Sequence, residues 1–109
     1  DVSGKGLSAG MLMSNFQANL RALISREYPL EQIVDMLNFK IREITKSARF
    51  ITMFLGVYDH EAQIMRYINA GHNPPILLQN GEQKLLNEGC PLLGALTSLP
   101  KITIREIAI

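Results

Sequence analysis

Cysteine is nearly missing from this chain. Cys90 stands alone, so no internal disulfide framework exists, which fits a reducing compartment and makes a cytoplasmic location the expectation. An excess of either charge is missing too. Eleven Lys and Arg face ten Asp and Glu, for a formal charge of +1. Phosphate-backbone binding needs a clear basic excess, so nucleic acid is not expected as a main partner. No apolar run reaches the roughly 18 residues of a membrane span, and no charged-then-apolar leader with a small-residue cleavage site opens the chain. Internal repeats and low-complexity tracts are lacking as well. What remains is 109 residues, 47% apolar and 19% charged, the size and balance of globular rather than disordered chain. The chain starts at Asp1 without a methionine and ends at Ile109 inside an alternating apolar run. Natural domains more often begin and end in polar segments, so a piece of something longer is expected.

Helical and strand periods divide the chain. Asp1-Val2-Ser3-Gly4-Lys5-Gly6 is a small, polar, glycine-bearing loop. Leu12, Phe16, Leu20, Leu23 and Ile24 then trace one face of a helix over about 7–27, which Tyr28-Pro29 ends because the residue before proline avoids helical geometry. A second helix over about 30–47 carries Leu30, Ile33, Val34, Leu37, Ile41, Ile44 and Ala48. Its acidic Glu31 and Asp35 come early and its basic Lys40, Arg42 and Lys46 come late, which complements the helix dipole. Phe50 to Tyr58 is aromatic, β-branched and apolar on both faces, a buried strand. With a turn at 59–62 and a strand from Gln63 to Asn69 it makes a hairpin. Asn80-Gly81 joins Ile76–Gln79 to Glu82–Leu86 in a second hairpin. Residues 88–98 read as irregular, and Lys101 to Ile109 as a last strand with a register break near Arg105-Glu106. Two helices followed by about five strands on short turns give an α+β class, with helices on one face of an antiparallel sheet.

Few segments carry chemistry. The opening hexapeptide places a carboxylate and several glycines at the start of a helix, where backbone N–H groups favour an anion. It is not a P-loop, because Gly6 follows Lys5 and no upstream glycine precedes them. It reads either as a carboxylate-bearing metal loop or as a glycine-rich turn. Asn69-Ala70-Gly71-His72-Asn73-Pro74-Pro75 offers an imidazole for metal or proton chemistry. Its alternative is a rigid turn whose Asn69 and His72 bond to backbone. A zinc site is not expected, since the remaining ligand types are His60 in a turn and the lone Cys90. Cys90 has no legible partnering base and reads as a small buried residue. Five scattered methionines read as core filling.

Five segments nevertheless occur in a telling order: Asp1-Val2-Ser3-Gly4-Lys5-Gly6, the Leu-Ser-Ala-Gly-Met-Leu-Met opening of the first helix, Arg49-Phe50-Ile51-Thr52-Met53-Phe54, Asn69-Ala70-Gly71-His72-Asn73-Pro74-Pro75, and Glu88-Gly89-Cys90-Pro91-Leu92-Leu93-Gly94. Together they closely resemble the bacterial serine/threonine phosphatases of the stage II sporulation protein E type, within the metal-dependent PPM (protein phosphatase 2C-like) superfamily. The resemblance covers nearly the whole chain. It implies an α-β-β-α sandwich of antiparallel sheets, here with two helices and incomplete at both ends, making residues 1–109 a partial phosphatase domain. It implies hydrolysis of phosphoserine or phosphothreonine by a water activated on two Mn²⁺ or Mg²⁺ ions. By position, Asp1 resembles the aspartate that bridges both metals, and Val2 matches the next position of the family, whose backbone carbonyl also faces a metal. Ser3, Gly4, Lys5 and Gly6 shape that loop, whereas Asn69, Gly71 and His72 match a signature with a structural role. Partners implied are a phosphorylated signalling protein, a STAS-domain anti-sigma-factor antagonist being the common one, and an attached sensor domain. The family's other metal-binding aspartates have no counterpart in these residues. The 109 residues alone are therefore expected to be inactive, and the alternative reading is a non-catalytic interaction or scaffold module.

Overall fold

Two amphipathic helices come first, as the apolar spacing requires. In a computed structural model that describes residues 1–4 and 6–109, with Leu7 by its backbone alone, α1 spans Leu7–Ser25 and α2 spans Leu30–Thr45. Pro29 starts α2, its carbonyl accepting the Gln32 and Ile33 N–H groups. Lys46, in the left-handed region with φ 52°, ends it. Ile33, Val34, Leu37 and Ile41 of α2 are buried with Leu12 and Phe16 of α1 against Ile51, Met53, Leu55, Ile68, Ala70 and Leu93. Each large apolar side chain among them contributes about 1.5–3 kcal/mol by leaving water.

The sheet beneath the helices is built on one central strand. β1 (Met53–Asp59) and β2 (Ile64–Ala70) form an antiparallel hairpin in register from Met53↔Ala70 to Asp59↔Ile64. A second, two-stranded sheet joins β3 (Ile76–Gln79) to β4 (Glu82–Leu85). Its Asn80-Gly81 turn has φ 52° and 77°, the pair of positive values this hairpin turn demands. Along its other edge, β2 pairs with two more segments. The two-residue parallel β5 (Gly89–Cys90) lies at Asn69–Ala70 and the antiparallel β6 (Arg105–Ala108) at Ile64–Tyr67. Side chains alternate across a sheet, so Ile68 and Ala70 face the helices while Tyr67 and Asn69 face away. On that second face Tyr67 is buried and stacks on Phe54 at 5.2 Å, and the Asn69 amide reaches the Leu86 carbonyl just past β4. The α+β class therefore stands: helices on one face, a largely antiparallel sheet, and a small sheet on the other face. No helix among the described residues is long and apolar enough to cross a membrane.

Several expected details differ, each for a physical reason. α1 ends at Ser25 and α2 at Thr45, short of the ends that periodicity gives. Ile24 is exposed because one residue turns a helix by about 100°, which carries it off the stripe set by Phe16, Leu20 and Leu23. Ile44 is also exposed, and Ala48 lies beyond the helix end. The strand expected to be buried throughout is buried only at Ile51, Met53 and Leu55; Gly56 to Asp59 run on past the core into solvent. Phe50 to Thr52 are not part of β1, and Ile51 instead pairs singly with Val2 and with Leu93. The last strand is only four residues long, its ladder starting at Arg105 where a register break was expected. Gly89-Cys90, read as irregular, is a strand and parallel to β2.

Candidate functional site

The opening loop is held as a third partner of the chain that enters β1. The Asp1 nitrogen donates to the Thr52 carbonyl at 2.6 Å and the Thr52 N–H donates to the Asp1 carbonyl at 2.8 Å. Val2 lies opposite Ile51 without exchanging bonds, and the Ser3 N–H donates to the Phe50 carbonyl at 3.0 Å. Ile51, turned the other way, exchanges both of its bonds with Leu93 at 2.8 Å. This is the alternation of an antiparallel ladder. Its consequence is directional: Val2 packs on the core, so Asp1, one residue earlier, projects to the opposite face with Thr52. The Asp1 residue is exposed there.

Thr52 links this ladder to the second motif. Its hydroxyl shares a 2.8 Å hydrogen bond with Nδ1 of His72, and the His72 N–H donates to Asn69 Oδ1 at 2.8 Å. Asn69 is buried at 4% exposure. Its Nδ2 donates to the Leu86 carbonyl at 3.0 Å and its own N–H to the Glu88 carbonyl at 2.9 Å. Gly71 has φ 66°, and a Cβ there would lie 2.8 Å from the Leu92 nitrogen, so only glycine lets the loop turn between Asn69 and His72. One asparagine therefore fixes the His72 loop, the end of β4 and the start of β5 together. Replacing Asn69 by alanine leaves the Leu86 carbonyl and the His72 N–H without partners, at about 1–3 kcal/mol for each group. We expect Asn69→Ala to lower the domain's stability by about 2–4 kcal/mol in urea unfolding of the full-length protein, with Asn69→Asp, which keeps the acceptor for His72, falling between.

A third set of bonds ties the helices to the same strand entry. Asn38 is wholly buried inside α2; its Oδ1 accepts the Gly94 N–H at 2.8 Å and its Nδ2 donates to the Leu96 carbonyl at 3.1 Å. Arg42, one turn on, donates to the Ala95 carbonyl at 3.1 Å. The segment thus clamped on α2 follows directly from Leu93, the partner of Ile51. Arg49 crosses from the start of this strand entry to the opening loop, with Nη1 donating to the Ser3 carbonyl at 2.8 Å and Nη2 to Ser8 Oγ at 2.6 Å.

Motifs far apart in the chain therefore meet. Asp1, Val2 and Ser3 lie along Phe50–Thr52, and Thr52 touches His72, which rests on Asn69. Gly4 and Gly6 carry the chain into α1, whereas Lys5 lies outside the described residues. His60 sits apart in the β1–β2 turn, where Asp59 Oδ1 accepts the Glu61 and Ala62 N–H groups at 3.0 Å. Cys90 is half-buried beside the core, and burial pushes its thiol up to about 11, away from the reactive thiolate form. The residues that periodicity alone missed are Asn38, Arg49 and Thr52. The available signals were a polar residue on an apolar helical stripe and a lone hydroxyl in an otherwise apolar run.

The layered α+β fold agrees with that of the PPM-type phosphatases, the class in which comparison with known proteins places the chain. Across residues 1–109 the chain matches the family described as Stage II sporulation protein E (SpoIIE), and it belongs to that family. It is 31% identical over 74 residues to phosphoserine phosphatase RsbU of Bacillus subtilis (strain 168), a match covering 68% of this chain and 22% of RsbU. Its fold is similar to a crystal structure of the RsbU and RsbW domains of a Mycobacterium tuberculosis protein, with a TM-score of 0.81 and 27% identity over 100% of this chain and 31% of that one. The chain thus spans less than a third of the length of either relative.

A metal centre needs more than these residues offer. No three His, Cys, Asp or Glu side chains group together among the described residues. Hard divalent cations take about six oxygen ligands each, and one carboxylate with one carbonyl does not hold two of them. What this chain supplies is a single acidic edge, fixed in direction by the Val2–Ile51 pairing.

Proposed function

We propose that the full-length protein is a cytoplasmic protein serine/threonine phosphatase acting on a phosphorylated signalling protein. In this reading Asp1 and the Val2 carbonyl form one edge of a site for two Mn²⁺ or Mg²⁺ ions, and residues outside this chain complete it. Bound metal supplies an acidified water and neutralises the phosphoryl oxygens. The chain's own task is to aim Asp1 and keep it aimed. The observation that carries the reading is the single network running from Asp1 through Thr52 and His72 to Asn69, in a member of a family whose relative RsbU is a phosphoserine phosphatase. Ser3, Gly4 and Gly6 shape the loop, and Asn69, Gly71 and His72 brace it without touching substrate. A STAS-domain anti-sigma-factor antagonist is the proposed substrate class, with a sensor domain attached to the same chain. The Mycobacterium tuberculosis relative, which has RsbU and RsbW domains, supports a multidomain architecture.

The test is phosphate release from phosphoserine and phosphotyrosine peptides by the full-length protein, with and without added Mn²⁺. We expect release from phosphoserine alone, stopping when a chelator is added, and none from the isolated 109 residues. A full-length protein that binds the phosphoprotein but releases no phosphate sinks the enzyme reading. That result favours a non-catalytic interaction or scaffold module instead.

A further inference from the structure

We propose that Arg49 is the positioning residue that closes the Asp1 loop onto the first turn of α1; its effect on turnover rests on the phosphatase reading above. The ladder between residues 1–3 and 50–52 is regular for two rungs and then diverts. At the third rung the Phe50 N–H donates to Ser3 Oγ at 3.0 Å, where a regular ladder would use the Ser3 carbonyl. That carbonyl is freed for the Arg49 guanidinium, which spans from it to Ser8 Oγ with bonds of 2.8 and 2.6 Å. The guanidinium thus joins the end of the ladder to α1. Among the described residues, Gly6 precedes Leu7 with no side-chain cap, and no acidic residue lies in the first turn of the helix.

Gly4 is part of the same device. With φ 86°, it turns the chain back over Arg49, and a Cβ there would lie 3.1 Å from the guanidinium carbon and closer still to Nη1. The guanidinium packs against a residue that has no side chain. Its planar fork reaches two acceptors at once, which a lysine ammonium on a flexible stem does not reproduce. Two of its five N–H groups are committed to these bonds. The residue therefore acts through Asp1 by fixing the loop that carries it. Nothing in the bonding brings Arg49 to a substrate.

Such a role predicts a loss in turnover with binding unchanged, because a misdirected carboxylate weakens the transition state more than the ground state. In the full-length protein we expect Arg49→Met to lower kcat on a phosphoserine peptide by about tenfold to a hundredfold, with KM held within about threefold. Arg49→Lys should recover part of that loss. Amide hydrogen exchange gives a readout independent of activity. In Arg49→Met, the Ser3, Phe50 and Thr52 amides should exchange at least about tenfold faster, while Leu86 beside the β3–β4 hairpin stays unchanged. Unchanged exchange at these three amides overturns the proposal. So does a rise in KM at constant kcat, which would make Arg49 a substrate contact. If the wild-type protein hydrolyses no phosphopeptide, the phosphatase reading fails on its own, and the exchange comparison still decides whether Arg49 holds the loop.

Discussion

Gly89→Ala is expected to be the most destabilising single methyl addition in this fold, at about 3 kcal/mol or more. Gly89 lies beside Asn69 in the parallel β2–β5 pair. A Cβ at Gly89 would stand 2.5 Å from the Asn69 nitrogen and 2.7 Å from its carbonyl carbon, closer still to the carbonyl oxygen. These are backbone atoms of the central strand, so no side chain can swing aside to make room. β5 has to move off β2, giving up the bond from the Asn69 N–H to the Glu88 carbonyl and the bond from the Thr103 N–H to the Gly89 carbonyl. Asn69 then loses the register that lets it hold His72 and Leu86. The internal comparison is Gly10→Ala. Gly10 sits on the exposed side of α1, and apart from its own stretch of helix backbone nothing lies within 4 Å of its added methyl, so alanine there should stabilise by about 1 kcal/mol. The same chemical change thus takes opposite signs at two sites, and urea unfolding of the two variants checks both. Equal effects would mean that β5 is not seated on β2 as described.

The contrast marks where sequence reasoning stops. Gly10 is legible as a helix weakness because its surroundings are its own helix, and the same is true of Asn80-Gly81 reversing β3 into β4. In each, the deciding atoms lie within a few residues. Gly89 reads as part of an irregular stretch, since a two-residue strand has no period and its partner is distant in the chain. Asn38 and Thr52 hide for a related reason: a polar side chain on an apolar stripe gains its meaning from Gly94 or His72, neither of which local spacing can reach. The candidate site divides in the same way. Its component segments can be recognised by family resemblance, down to Asp1, Asn69 and His72. That these segments converge on one strand entry, with Arg49 and Thr52 as the joints, emerges only when residues 1–3, 49–52, 69–72 and 93 are brought together in space.

The chemistry proposed for this chain depends on the direction of one carboxylate. The ladder turns Val2 into the core and Asp1 outward beside Thr52, so the Asp1 side chain can be altered with little effect on packing. Asp1→Asn in the full-length protein keeps the shape and the backbone bonds and removes the charge. The decisive measurement is Mn²⁺-dependent phosphate release from a phosphoserine peptide by wild type and Asp1→Asn, with unfolding midpoints compared in parallel. The predicted result is an unchanged midpoint with a rate lower by about a hundredfold or more, equivalent to about 3 kcal/mol of lost transition-state stabilisation. A variant that hydrolyses the peptide as fast as wild type would contradict the proposed role, because the residue that the whole network is built to aim would then take no part in the chemistry.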